Sequence, residues 1–486
     1  MDCVVAIDLG TSSVRASAYD VSANVIPNCS ATVSLSFSYT TAGGAFGNPT
    51  DIANSVEICV DQLLSLCHDQ DLRILAVGMD VIAGTYVGLN ANDEPITDLF
   101  TYAETRSFEQ ATVLREDSIP SLDIQKTGVP VHSAYFPSIY KWLKDTNYLR
   151  INPVLWTDIG GFLFKRWFAQ SPFLSFSIAS WMGLMDRSTG TINKALLEVL
   201  DLSPDRFPEP KSYDQALVGL SEIFAKRWPI LKEVPFLLPV GDGAAATIGS
   251  GCASNRRAAL TIGTTGSLRM FVEGQDVYIP DGLWSYRLAD NSLIGGSLSD
   301  GGTLLSWGMT NLKIPSDFQT LDKKLFESRP NSHGLTSLPF LTGERSPGWA
   351  VNARATISGI RIDTTGIDIL QALIESMSFR FRLVYDILCQ DVAEPAAIVV
   401  SGGALENSMY LAKVMADVLG SEILVPESKQ LTSRGTAILA LKHSGSWKNF
   451  DEDLPVIGHR VEPDMQRNKI YLDAIDQHKA LYEMLI

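Results

Sequence analysis

The chain has 486 residues, 45% of them hydrophobic, and carries a net charge of −16 from 39 Lys and Arg against 55 Asp and Glu. At roughly 150 residues per domain this is enough for two or three buried cores, and the acidic balance with no basic run excludes nucleic acid and anionic membrane as expected partners. An acid at position 2 and the absence of any stretch near ~18 apolar residues argue against a leader or a membrane span, so the expected location is the cytoplasm.

The first element, "VVAIDLGTSSVRASAYD" at residues 4–20, reads as a strand, a Gly10 turn lined with hydroxyls, and a second strand. Such a hairpin suits a phosphate, yet Asp8 sets a negative charge at its mouth. Further on, "GMDVIAGTYVGLNANDEPITDLFTYAETR" and "HSAYFPSIYKW" supply Asp80, Arg106 and Tyr135 as cleft candidates by position. Pro229, Pro235 and Pro239 punctuate the chain before "VGDGAAATIGSG", which places a boundary near residue 240. Asp242 stands there between glycines, either as a working carboxylate or as the cap of the helix that follows.

The opening hairpin then recurs. "AALTIGTTGSLRMFVEG" at residues 258–274 repeats the strand, the Gly-Thr turn, the hydroxyl cluster and the closing Arg, with Arg269 answering Arg15 and Thr261 standing where the first copy has Asp8. Two related halves with a ligand cleft between them are implied. "GGSLSDGGTLLSW" and "PFLTGERSPGW" are polar, glycine-rich loops suited to that cleft. Helical spacing over 364–390, with apolar residues at Leu370, Leu373, Ile374, Met377, Phe381, Val384 and Leu388, predicts one buried stripe. "AAIVVSGG", "NSMYLAKVMADVLG" and "EILVP" follow as strand, helix and strand, an order that favours parallel pairing. Six cysteines without a C-x-x-C pair and six histidines without ligand spacing give no zinc or disulfide framework. Neither a Walker A nor a full G-x-G-x-x-G pattern occurs.

The order of four motifs, D-x-G-T-x-S-x-R from Asp8, G-D-G at 241–243, T-I-G-T-T-G at 261–266 and S-G-G-A-x-x-N at 401–407, closely resembles the FGGY carbohydrate kinases. The resemblance implies an α/β fold of two ribonuclease-H-like (actin-like ATPase) domains around a central cleft, and ATP-dependent phosphorylation of a sugar or polyol hydroxyl. It divides the chain into an N-terminal domain over 1–240, a C-terminal domain over 241–445 and a tail over 446–486 packed on both. Gly10, Thr11, Ser12 and Ser13 would approach the ATP phosphates from one side, Gly263 and Thr264 from the other. Gly402, Gly403 and Asn407 would border the adenine with Gly302 nearby. Asp242 falls on the catalytic base. Asp8 falls on the acid that faces Mg²⁺, with Asp242 at the same metal. This resolves the puzzle of Asp8: facing a phosphate at ~4 Å it is repelled by ~1 kcal/mol in water and ~4 kcal/mol at an effective dielectric near 20, whereas a hard dication wants carboxylate, water and phosphate oxygens together.

For the acceptor, the "YAETRS", "HSAYFPSIYKW" and "FLTGERSPGW" segments most resemble the gluconate-kinase branch, with Arg106 or Arg345 as the cation for a sugar acid and Asp80, Gly84, Tyr135 and Asp242 as its other neighbours. Three departures stand out: Ala83 and Gly84 where many members carry Met-His, Gly243 after the catalytic Asp, and Ile139 where Lys is common. A pentulose, xylulose or ribulose, is the alternative acceptor, and an actin-like ATPase without sugar substrate the alternative of another class. The expected partner is a small sugar or sugar acid, with a homodimer allowed.

Overall fold

In the computed structural model of the chain, the described residues are 1–68, 70–117, 119–168, 173–448, 450 and 454–486, with the side chains of Glu406 and Asn407 outside the description. The chain opens with β1 (Asp2–Leu9), β2 (Ser13–Asp20) and β3 (Val25–Ser34), followed by α1 (Pro49–Leu66) and β4 (Arg73–Val81). A region of short elements, among them α2 (Phe176–Met182), leads to β5 (Val240–Gly241) and α3 (Asp242–Gly249). The first sheet has the order β5-β4-β1-β2-β3. β1 pairs antiparallel with β2 and parallel with β4, and β4 pairs parallel with β5.

The second half repeats this plan. β6 (Arg257–Ile262), β7 (Gly266–Glu273), β8 (Trp284–Leu288) and β9 (Asn291–Leu298) precede α4 (Gly302–Asn311) and the long α5 (Gly366–Asp391). Then come β10 (Ala397–Ser401), α6 (Gly403–Asn407), α7 (Met409–Leu419), β11 (Ile423–Pro426), α8 (Leu431–His443), β12 (Ile457–Val461) and α9 (Met465–Leu485). The seven-stranded order is β8-β9-β7-β6-β10-β11-β12. Within it, antiparallel β9-β7-β6 continued by parallel β10 and β11 matches β3-β2-β1-β4-β5. The repeat seen in the two hairpins is therefore a repeat of whole sheets.

Both faces of each sheet are covered, which is why the strands read as unbroken apolar runs rather than alternating ones. In β1, Val5, Ile7 and Leu9 face a core shared with Ile52, Val56 and Val60 of α1. Val4 and Ala6 face the other way, onto Ala437, Ile438 and Leu441 of α8. α5 starts with a capping box between Thr365 and Asp368, and its predicted stripe lies in the second core.

Two expectations about domain limits differ from the packing. Residue 240 lies inside a strand of the first sheet, and α8, although late in sequence, packs on that same sheet. The segment after 445 is no appendage: β12 is the edge strand of the second sheet, and Tyr471, Ala474 and Ile475 of α9 belong to its core. The lobes also meet along β8, where the Ser285 N–H donates to the Gly128 carbonyl at 2.8 Å and the Arg287 N–H to Ser180 Oγ at 3.1 Å. Among the described residues no helix is long and apolar enough to cross a membrane.

The tightest crossing in the fold holds the helix that begins at Asp242. α3 and α8 touch backbone to backbone at Gly249 and Gly435, where a methyl group would overlap the carbonyl oxygens of Leu431 and Ala245. Gly78 of β4 admits α8 in the same way, since a Cβ there would lie 2.7 Å from the Thr436 carbonyl oxygen. Gly435→Ala is expected to lower unfolding stability by about 2 kcal/mol or more, read as a reduced urea midpoint at unchanged slope.

Candidate active site

The two hairpin turns open onto one cleft. The Gly10 N–H donates to the Ser13 carbonyl at 3.1 Å to close the first turn, and Thr11 from it and Thr264 from the second turn line a cavity of about 730 Å³. Around the second turn three other segments crowd in. The Gly302 N–H, at the start of α4, donates to the Gly263 carbonyl at 2.7 Å, and a side chain on Gly302 would press on that oxygen. Gly402 has φ +97°, and a Cβ there would lie 2.5 Å from the Ile262 carbonyl oxygen, so only glycine fits on both counts. The structure thus brings Gly263, Thr264, Gly302, Gly402 and Gly403 together, with Gly10, Thr11, Ser12 and Ser13 across the cleft. The Asn407 side chain falls outside the described residues.

The carboxylates converge because three adjacent strands run parallel. Asp8 and Asp80 are register partners on β1 and β4, Val240 pairs with Asp80, and Asp242 follows β5 as the first residue of α3. Asp242 Oδ1 accepts from the Gly243 N–H at 2.8 Å and lies 3.5 Å from the Ala83 nitrogen. Burial pushes its pKa up, opposed by the charge of Arg269. Burial also lifts Asp8 to about 6, with Arg15, its cross-strand neighbour, pulling down and Asp242 pushing up. Asp80 corrects an expectation. It lines no part of the acceptor cavity but is fully buried behind Asp8, where the covering α8 presents Thr436; one carboxylate oxygen accepts from that hydroxyl at 2.6 Å and the other has no partner. Its burial, then the Asp8 charge, drive its pKa well up.

This donor set fits a divalent cation, since Asp8 and Asp242 bring like charge together at the cleft, which a hard ion relieves. Among the described residues no group of three His, Cys, Asp or Glu is arranged to enclose a metal. That suits Mg²⁺, which keeps several waters and phosphate oxygens and takes few carboxylates from protein.

Asp242 forms part of the wall of a smaller cavity of about 200 Å³ that joins the cleft along Tyr102, Thr265 and Arg345. Arg345 is 9% exposed, stacks 5.4 Å from the Tyr102 ring, and has no acid partner among the described residues. Its loop is anchored from behind: Glu344 pairs with buried Arg380 and accepts from the Tyr482 hydroxyl of α9 at 2.6 Å. Arg269 also faces this cavity, but it is engaged with the hydroxyls of Thr247 at 2.8 Å and Thr261 at 3.0 Å.

Arg106 is the second correction. It pairs at 2.7 Å with Glu104, whose side chain is fully buried, and lies 4.5 Å over Trp142, so it neutralises an internal acid and does not reach the cavity. Tyr135 sits one layer behind the wall, its hydroxyl 3.0 Å from that of Tyr286. Gly84 has φ +74° and backs onto Trp181. Of the rings that do line the cavity, Tyr102 opens the "YAETRS" segment, whereas Trp181, Trp284 and Tyr286 belong to no motif. Only the missing side chain at Gly84 hinted that something bulky lies opposite.

Two lobes with this strand order, hinged around a cleft that holds an ionisable acid, are the architecture of phosphotransferases of the ribonuclease-H-like, actin-like ATPase class. The comparisons carry this to a family. The N-terminal domain of the FGGY family of carbohydrate kinases matches residues 3–249 and its C-terminal domain residues 258–443, and the chain belongs to that family. It is a carbohydrate kinase, and kinases of this family use ATP with Mg²⁺; the reading as an ATPase without sugar substrate falls away. A gluconokinase of Bacillus licheniformis is 25% identical over 483 residues, 96% of this chain and 93% of that protein. A glycerol kinase of Pseudomonas fluorescens is 27% identical over 481 residues, 95% and 92% of the two chains. In fold, a gluconate kinase and a xylulose kinase of Lactobacillus acidophilus each superpose with TM-score 0.90 at 21% identity, covering 100% of this chain and 98% of theirs.

Three outcomes follow for the acids and for Arg106. A proton acceptor works only when ionised, so a pKa above the ordinary 3.8 moves the acid limb of kcat/KM upward, activity falling as pH drops through it. Asp242→Asn is expected to cut kcat by about 10²–10⁴-fold with ATP-analogue affinity within about twofold, measured by coupled assay and calorimetry. Arg106→Gln, which strands Glu104, is expected to lower stability by roughly 3 kcal/mol and to leave the KM of the surviving folded enzyme unchanged.

Proposed function

We propose that the chain transfers the terminal phosphoryl group of ATP to a hydroxyl of gluconate. The observation that carries the choice of a sugar acid is the Arg345 guanidinium, which has no acid partner among the described residues and stands on the wall that also holds Asp242; a carboxylate is its natural complement. The gluconokinase relatives support the same reading. Xylulose or ribulose is the second reading, favoured by the equal superposition on a xylulose kinase. An enzyme drawing on ATP and a free sugar acid belongs in the cytoplasm.

In this mechanism Asp242 holds the acceptor hydroxyl and takes its proton as the new O–P bond forms and the bond to the departing ADP oxygen breaks. The transfer passes through a loose transition state, so the proton leaves late and position outweighs basicity. The backbone of Gly10, Thr11, Ser12 and Ser13 on one side, and of Gly263 and Thr264 on the other, holds the phosphates in line. Gly302, Gly402, Gly403 and Asn407 border the adenine. Asp8, with Asp242, would hold Mg²⁺, which would supply positive charge to neutralise the phosphates. The two lobes together exclude water that would otherwise accept the phosphoryl group.

A panel of gluconate, xylulose, ribulose and glycerol, read by ADP release, tests the substrate: highest kcat/KM on gluconate is expected, and turnover confined to the neutral acceptors would reject the sugar-acid reading. Arg345→Gln is expected to raise the KM for gluconate about 10–100-fold, the worth of a charge-assisted hydrogen bond, with kcat changed far less.

A further inference from the structure

We propose that Trp181 is a specificity-determining residue of the acceptor cavity: its indole N–H and the Arg345 guanidinium form a donor-only surface that selects the carboxylate end of a sugar acid over a neutral polyol end. The inference rests on the sugar-acid reading above and names a residue that reads the acid.

Trp181 is held in one orientation. Its ring stacks on Tyr286 at 5.0 Å and 20°, and Tyr286 stacks in turn on Trp284 at 4.2 Å and 22°. Tyr135 lies against it at 5.3 Å. On the six-membered side the indole fills the space that a side chain at residue 84 would need, since a Cβ on Gly84 would lie 2.7 Å from Cζ3 and 2.9 Å from Cε3. On the five-membered side Cδ1, the atom bonded to the ring nitrogen, lies 3.8 Å from where a Cβ on Gly241 would stand. The pyrrole edge of the ring therefore lies at the strand end that precedes Asp242.

The polar atoms of the neighbouring rings are already engaged. Trp284 Nε1 donates to Ser297 Oγ at 3.1 Å, and the Tyr135 and Tyr286 hydroxyls share a bond at 3.0 Å. The Trp181 N–H makes no hydrogen bond among the described residues and its ring faces the cavity. An indole N–H and a guanidinium can only donate, whereas a polyol hydroxyl both donates and accepts and a carboxylate only accepts. A carboxylate answers both donors with acceptors alone, whereas a neutral end must turn its own protons to acceptors elsewhere in the lining, such as Asp242 or Thr265.

Trp181→Phe keeps the stack and removes the donor. Steady-state kinetics on full-length enzyme, with gluconate, galactonate and glucuronate as acids and xylulose and glycerol as neutral acceptors, is expected to show KM for the accepted acid raised about fivefold or more, kcat within about twofold, and KM for the neutral acceptors unmoved. Trp181→His, which returns a ring N–H, is expected to recover part of the loss and serves if the Phe variant does not fold. An equal effect on acids and neutral acceptors, or none on the acid, overturns the role of Trp181. If wild-type enzyme takes galactonate or glucuronate but not gluconate, the gluconate reading fails while the inference stands on the accepted acid. If it takes neutral acceptors alone, both fall.

Discussion

The structure turns on a crowding of like charge. Parallel alignment of β1, β4 and β5 sets Asp8, Asp80 and Asp242 at the ends of neighbouring strands, close enough for the charge of Asp242 to raise the proton affinity of Asp8 and for both charges to raise that of Asp80. The protein offsets this only in part, with Arg15 beside Asp8, Arg269 near Asp242 and the Thr436 hydroxyl on Asp80. Crowded carboxylates of this kind are matched by a hard dication, which takes carboxylate, water and phosphate oxygens together.

The duplicated fold divides the labour by charge. Where the first hairpin has Asp8, the second has Thr261, whose hydroxyl accepts from Arg269 and lies 2.8 Å from Ser401 Oγ. The first lobe brings the acids; the second brings close-packed glycine turns at 263, 302 and 402, where main chain approaches main chain. Two copies of one architecture thus differ at the strand ends that face the shared gap, with no change of topology.

Much of this was legible in the sequence because strand-end acids and glycine turns leave short, ordered signatures. The hairpins, the buried stripe of α5 and the parallel β10-α7-β11 run follow from local patterning that the tertiary structure reinforces. Residues whose role depends on what packs against them were not legible. Asp80 reads like a cleft acid until α8, some 350 positions later, covers it with Thr436, a pairing of |i−j| = 356. Arg106 reads like a free cation until Glu104, two residues away, proves fully buried. Trp181 carries no motif because its place is defined by an absence at Gly84. The limit set at 240 falls inside β5, a strand of two residues that is too short for a pattern to read, and α8 returns to the first sheet through contacts between glycines, which have no periodicity.

The bonds and stacked rings along β8 tie the lobes together beside the acceptor cavity, whereas the two hairpin turns face each other across the wider opening. Asp242 and Trp181 thus stand in the smaller recess beside the joined edge, Thr11 and Thr264 in the wider opening, and Tyr102, Thr265 and Arg345 line both, so one protein gap carries a narrow chamber and a broad one with a shared wall between them.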